Sequence, residues 1–339
     1  MQKSTILKVY LNYSIGLLPL LFHLKYKLMK IGIASHIVKD SITDIEGNKI
    51  ESLGGPACYG SIIAKTFKID SYLFTKIGKD IYNNNLEFLK RNNIHIENDQ
   101  IDNNNPTTQF QLVLNKDGSG RNLFLLSKCS PIKIDHQAMN NLDGIILSPV
   151  IDEIPIEIFD GITKTNKNKF IMLDPQGFLR IWNRESLLIS YKEKLDLDLK
   201  GITAIKTDEQ ELAALTGRGG IDTSIESMKL LKKKYSLEFV ILTARNQISL
   251  LNKNILYSLS FKKISSLDTT GLGDILTAGF SCSYLREKDP LWALCFGVGS
   301  IIASLSSNKK GLDKVPQKMN IIEKNASYFY NLVKFKIID

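Results

Sequence analysis

Apolar residues along this chain cluster into short runs, and the stretches between those runs repeat at a helical period. Residues 30–34, 71–77, 144–147, 170–173, 202–206 and 239–243 are compact runs of strand length. Between most of them the spacing turns helical, as at 57–67, where Ile62, Ile63 and Phe67 share a side, and again from about 80 to 92. Residues 271–285 and 291–306 read as long, well-buried helices. Strand and helix in alternation predict an α/β fold: a doubly wound, mostly parallel sheet with helices on both faces.

Two stretches keep a period of two. Residues 41–53 alternate around a turn at 44–50. Residues 107–127 alternate through Phe110, Leu112 and Leu114, turn at 115–120, and resume at Leu123 and Leu125. They predict antiparallel hairpins forming a small β lid over a ligand crevice. The Asn-rich patches 83–85 and 103–105 read as surface loops. The expected division is an N-terminal extension, 1–28, and one domain, 29–339. The extension holds an apolar run at 15–24 between basic residues. That run is too short for a membrane span, and no small-x-small site follows before Ile31. An over-extended start ahead of Met29, an added helix and an anchor are its three readings.

Composition narrows the classes. The 339 residues are 43% hydrophobic and 23% charged, too apolar for a disordered chain and too charged for a polytopic membrane protein. The net charge of +9 falls to +5 without residues 1–28, which carry four lysines and no acid. Clusters such as Lys232-Lys233-Lys234 read as solvated helix faces, so neither nucleic acid nor a membrane is an expected partner. Cys58, Cys129, Cys282 and Cys295 form no C-x-x-C pair and read as buried thiols of a reduced, cytoplasmic chain. The four histidines are scattered, with no metal-ligand spacing.

The chemistry concentrates in Asp268-Thr269-Thr270-Gly271-Leu272-Gly273-Asp274, at the start of a predicted helix. Glycines let the backbone approach a ligand, and the free N–H groups of a helix N-terminus suit a phosphate. Asp274, in the first turn, is placed to take a proton from a hydroxyl as a phosphoryl group arrives. The plainer reading is a capped helix after a glycine turn. A dinucleotide fingerprint fails for want of its third glycine, and no G-x-x-x-x-G-K-[ST] occurs.

This run resembles the D-x-T-G-A-G-D motif of the ribokinase-like (PfkB) carbohydrate kinases, with Leu272 for the usual alanine. Further matches run over about 29–320. The opening strand 31–34 leads to Asp40. Gly54-Gly55 opens a helix. The 75–80 stretch, ending Gly78-Lys79-Asp80, looks like the V-G-x-D step. Asp117–Arg121 looks like the lid turn, and Asp208…Glu211 resembles N-x-x-E.

The resemblance implies an ATP- and Mg²⁺-dependent kinase acting on a hydroxyl of a small sugar, nucleoside or polyol. It makes Asp274 the base and Thr270, Gly271, Leu272 and Gly273 the anion hole. Asp40, Gly54, Gly55, Tyr59, Gln109, Gln111 and Arg121 would shape the acceptor pocket. Lys206, Asp208, Thr243 and Arg245 would meet ATP, and Asp208 and Glu211 would hold Mg²⁺ through water. A homodimer through the lid is a further implication.

The departures are Tyr59 where the family has Asn, which disfavours ribose, and Asp208 for the Asn of N-x-x-E. Both glycines are also missing from the family's T-x-G-x-x-G stretch, here 243–248, where Arg245 either contacts a phosphate or narrows the site. The 174–180 stretch reads equally as substrate selection or as a turn. A binding protein of the same fold that has lost catalysis is the alternative. A phosphopyrimidine-type kinase is disfavoured by the lid.

Overall fold

The computed structural model describes residues 29–43, 46–80, 83–92, 94–114, 121–166, 168–218, 224–244, 246–261 and 268–338. The extension 1–28, the turn 115–120, Arg245 and the side chain of Arg121 lie outside the described residues.

One large sheet carries the fold. In spatial order it runs Asp70–Phe74 (β4), Lys30–Ala34 (β1), Gly144–Leu147 (β9), Phe170–Leu173 (β10), Ala204–Asp208 (β13), Phe239–Ala244 (β14), Gln247–Asn252 (β15), Ile255–Ser260 (β16) and Lys334–Ile337 (β17). The first six are parallel, and β9 and β10 are buried at every position, as strands covered on both faces must be.

Helices cover both faces. Pro56–Thr66 (α1), Leu272–Glu287 (α8), Pro290–Leu305 (α9) and Met319–Tyr330 (α10) enclose one core with Ile31, Ile33 and Met172. Ile156–Thr165 (α4), Glu209–Thr216 (α6) and Ser224–Tyr235 (α7) enclose the other with Ile145, Leu173 and Val240. The doubly wound expectation is met.

Local chemistry explains the ends that matter. Asp289 caps α9 by accepting from the N–H groups of Leu291 and Trp292, and Pro290 takes the first helical position. The α8–α9 link turns through Lys288 in the left-handed region, which makes a tight helical hairpin. Asp208 and Glu211 form a reciprocal capping box that starts α6 directly from the end of β13.

Both expected hairpins are present and join into one four-stranded sheet: Lys49–Gly54 (β3), Val38–Thr43 (β2), Thr108–Leu114 (β7) and Arg121–Ser127 (β8). Two features of the sequence reading change. The large, mostly parallel sheet ends in an antiparallel meander, β14 to β17, which the sequence reading did not place. Asn83–Asn85 form not a loop but the first turn of the helix Asn83–Arg91 (α2). A two-stranded ribbon, Arg180–Trp182 (β11) with Ile189–Tyr191 (β12), was also unforeseen. It meets β8 through the bridge between Phe124 and Leu188. All four cysteines are buried and free. No helix among the described residues is long and apolar enough to cross a membrane.

Candidate active site

A cavity of about 760 Å³ opens where the parallel strands end. Its floor comes from the ends of β10, β13 and β14, at Asp174, Asp208 and Thr243. Its roof comes from β2 and β7 of the small sheet, and one wall is the start of α8. Crevices at the carboxyl ends of parallel strands are the ligand sites of open α/β sheets.

Gly271 caps α8 with φ +74, and a Cβ there would lie 2.3 Å from the Tyr59 ring, so both conformation and space demand glycine. The Ile275 N–H makes the first helical bond, to Gly271 O. The earlier amides of the helix start, at Gly271, Leu272 and Gly273, line the cavity with the helix dipole behind them. Thr270 is different: its N–H donates to Asp268 Oδ1 at 2.8 Å. Of the four amides expected over 270–273, that of Thr270 is thus already engaged within the chain.

Asp274 sits in the first turn of α8 and lines the same cavity. Burial, reinforced by the charge of Asp174, pushes its carboxyl up to about 7, against the pull of Lys206 and Arg180. Asp40, on β2, is likewise pushed up to about 7, chiefly by burial, with Arg180 opposing. Gly54 makes room for it: a Cβ at Gly54 would stand 2.2 Å from Asp40 Oδ2. Gly55 caps α1, and both it and Tyr59 line the cavity; the Tyr59 hydroxyl is buried with no hydrogen-bond partner among the described residues.

Lys206 is buried on β13, 3.0 Å from Asp174 Oδ2 and 3.8 Å from Glu211 Oε2. Burial disfavours its charge, but the two carboxylates outweigh burial and hold the ammonium above its ordinary value. A Cβ built on Gly273 would lie 3.3 Å from Lys206 Nζ, so this fixed cation borders the start of α8. Asp208 Oδ1 and Glu211 Oε2 are engaged in the capping box. No group of three potential metal ligands occurs among the described residues. The second oxygen of each carboxylate takes no part in that box, and both residues line the cavity. Thr243 lines the cavity and donates its hydroxyl to Thr207 O.

Two expected pocket residues are displaced. Phe110 and Leu112 of β7 line the cavity, and the alternation of the strand sends Gln109 and Gln111 to the other face. Periodicity could have shown this, since the apolar residues are the ones that face a roofed crevice. Arg180 ends the 174–180 stretch, for which the sequence left substrate selection and a turn equally open. It lines the cavity, donates to Val150 O at 2.8 Å and Gln176 Oε1 at 3.1 Å, and lies 5.3 Å from the Phe110 ring centroid. Lys314, 1% exposed, was missed. It lies in a charged 310–318 stretch with no motif to mark it.

The start of α8 at 271–273, Asp274 and the roofed crevice are thus brought together in one site. The family model of the pfkB family carbohydrate kinases matches residues 27–318, and the chain belongs to that family. It is a phosphotransferase with an alcohol group as acceptor.

Solved structures share the fold. A pyrophosphate-dependent kinase of the ribokinase family, in a sulfate complex, is 20% identical. It covers 86% of this chain and 99% of its own, with TM-score 0.71. A pyrophosphate-dependent kinase of that family, complexed with a pyrophosphate analog and myo-inositol, is 19% identical. It covers 87% and 99%, with TM-score 0.67. Arabidopsis thaliana ribokinase, complexed with ribose and ATP, is 18% identical and covers 88% and 98%, with TM-score 0.67. No curated protein matches the chain by sequence.

Proposed function

We propose that this protein transfers the γ-phosphoryl group of ATP to a hydroxyl of a small sugar, nucleoside or polyol bound beneath the small sheet. The observation that carries the reading is Asp274, a carboxylate raised to about 7 at the mouth of a helix-start anion hole. A base of that strength is about half ionised at neutral pH and accepts a proton readily. The acceptor lies against Asp40, Gly55 and Tyr59. Asp274 takes its hydroxyl proton while the amides of 271–273 stabilise the charge on the transferring group.

Lys206, fixed by Asp174, adds positive charge beside that group. Asp208 and Glu211 would hold Mg²⁺ through water, where it would neutralise donor phosphates. One neighbour is complexed with ATP, and another is a pyrophosphate-dependent kinase. Ala244, Ile248, Phe261, Ile301 and Leu305 line the same cavity and offer a base an apolar shelf, which supports ATP here. The buried thiols support a reducing, cytoplasmic setting.

The test supplies ATP or pyrophosphate, with Mg²⁺, against a panel of sugars, nucleosides and inositols, and identifies product by mass. Asp274→Asn should lower turnover by about a hundredfold or more while ATP binding persists. Undiminished turnover in that variant removes Asp274 as the base. ATP binding without product across the panel favours a binding protein of the same fold.

A further inference from the structure

The anion-hole turn is held from outside its own helix. Lys314 ends the short turn Gly311–Lys314 that follows α9, and it is 1% exposed. Its ammonium lies 2.9 Å from Asp268 Oδ2, 3.2 Å from Asp268 O and 2.5 Å from Thr270 O. Three N–H donors thus meet three oxygens, which completes the ammonium's coordination. The Tyr59 ring closes the remaining side, with its centroid 5.9 Å from the nitrogen. Gly311 N–H donates to the same Asp268 Oδ2 at 2.8 Å.

These contacts set peptide directions. In a planar trans peptide the carbonyl and the following N–H point opposite ways. Drawing Thr270 O onto Lys314 turns the Gly271 N–H away from it, and Gly271 lines the cavity. A buried ammonium is costly to desolvate, and an uncharged side chain of similar volume would fill the space at lower cost. The charge acquires a use when a phosphoryl group brings negative charge to the other side of the turn.

We propose that Lys314 acts as an internal monovalent cation for phosphoryl transfer. It is a positioning residue that orients the 268–271 peptides toward the incoming phosphoryl group and offsets its charge. The inference rests on the kinase reading above. It makes the reaction independent of any dissociable monovalent cation.

The test compares wild type with Lys314→Ala in the chlorides of potassium, ammonium and tetramethylammonium at matched ionic strength. Wild-type turnover should be the same in all three. Lys314→Ala should lose about a hundredfold in tetramethylammonium and regain about tenfold or more in potassium or ammonium, which fit the vacated space. Melting temperature gives a readout free of activity: only the variant should melt higher with the two small cations.

A folded Lys314→Ala protein whose turnover and melting ignore the cation overturns the proposal, as does a wild type that requires potassium. If wild type transfers no phosphoryl group, the kinase reading fails, and the melting comparison still judges the cation site. If Lys314→Ala folds in none of the salts, Lys314→Gln decides. Lost turnover at an unchanged acceptor KM supports the proposal, and full turnover overturns it.

Discussion

The proton affinity of Asp274 is set by its neighbours. Burial and Asp174 raise it, and Lys206 and Arg180 pull it down. A base must be ionised to act, so turnover should fall below a pH of about 7 along a one-proton limb, read from a kcat/KM profile. Asp174→Asn removes a raising charge and releases Lys206, so the limb should move to lower pH. A limb that stays in place means that Asp174 does not act on the base. The same shift weakens the fold. The carboxyl ionises near 3.8 when unfolded and near 7 when folded, so its contribution to stability is full below the first value and is lost as pH rises through the second. Asp274→Asn should therefore melt higher than wild type at pH 8, by a few degrees at most because the group is only half-buried. Among the residues, Asp274 and Gly271 were legible because a motif marks them. Arg180 was marked only within the 174–180 stretch and Lys314 not at all, because their meaning comes from partners far along the chain.

Strands and helices carried over from sequence wherever one face or both had an unambiguous partner. The runs 30–34, 144–147 and 170–173 coincide with β1, β9 and β10. The meander was missed because β15 is buried along four successive positions, which hides its alternation. Its turn at Lys253, with φ 52, was nevertheless flanked by Asn252 and Asn254, a hairpin signal that went unused. The connection from β1 to β2 is fixed by Glu153. Fully buried, its carboxylate accepts from the N–H groups of His36, Val150 and Ile151 at 3.1, 2.7 and 2.7 Å. Glu153→Ala strands three buried donors and should cost about 3 kcal/mol or more in urea unfolding. A loss under about 1 kcal/mol means that water replaces the carboxylate.

At the scale of the whole molecule, the two large cores belong to the body, and a third, smaller core lies under the small sheet. That third cluster joins Val38, Phe110 and Leu125 to Val150, Ile151 and Ile189, with Trp182 packed against it. Acceptor binding beneath β2 and β7 should therefore change the fluorescence of Trp182, whereas Trp292, against Phe296 and Tyr330 on α9, should be silent. A Trp292→Phe protein isolates the signal, and an unchanged spectrum on acceptor binding places the acceptor elsewhere. The doubly wound architecture was readable because βα alternation is a property of the whole sequence. The pairing of the two hairpins through the parallel contact of β2 with β7 was not, since nothing local specifies which strands meet.

The turn before Asp274 takes its shape from groups 43 and 46 residues later in the chain, Gly311 and Lys314. During synthesis, all six parallel strands and Asp274 leave the ribosome before the residues that hold the turn. A polypeptide released just after α9 lacks both the clamp on that turn and the core residues Ile322, Ala326 and Phe329 of α10. Completion of the chain thus arms the enzyme, and a fragment ending near 310 should be catalytically silent even where it remains folded.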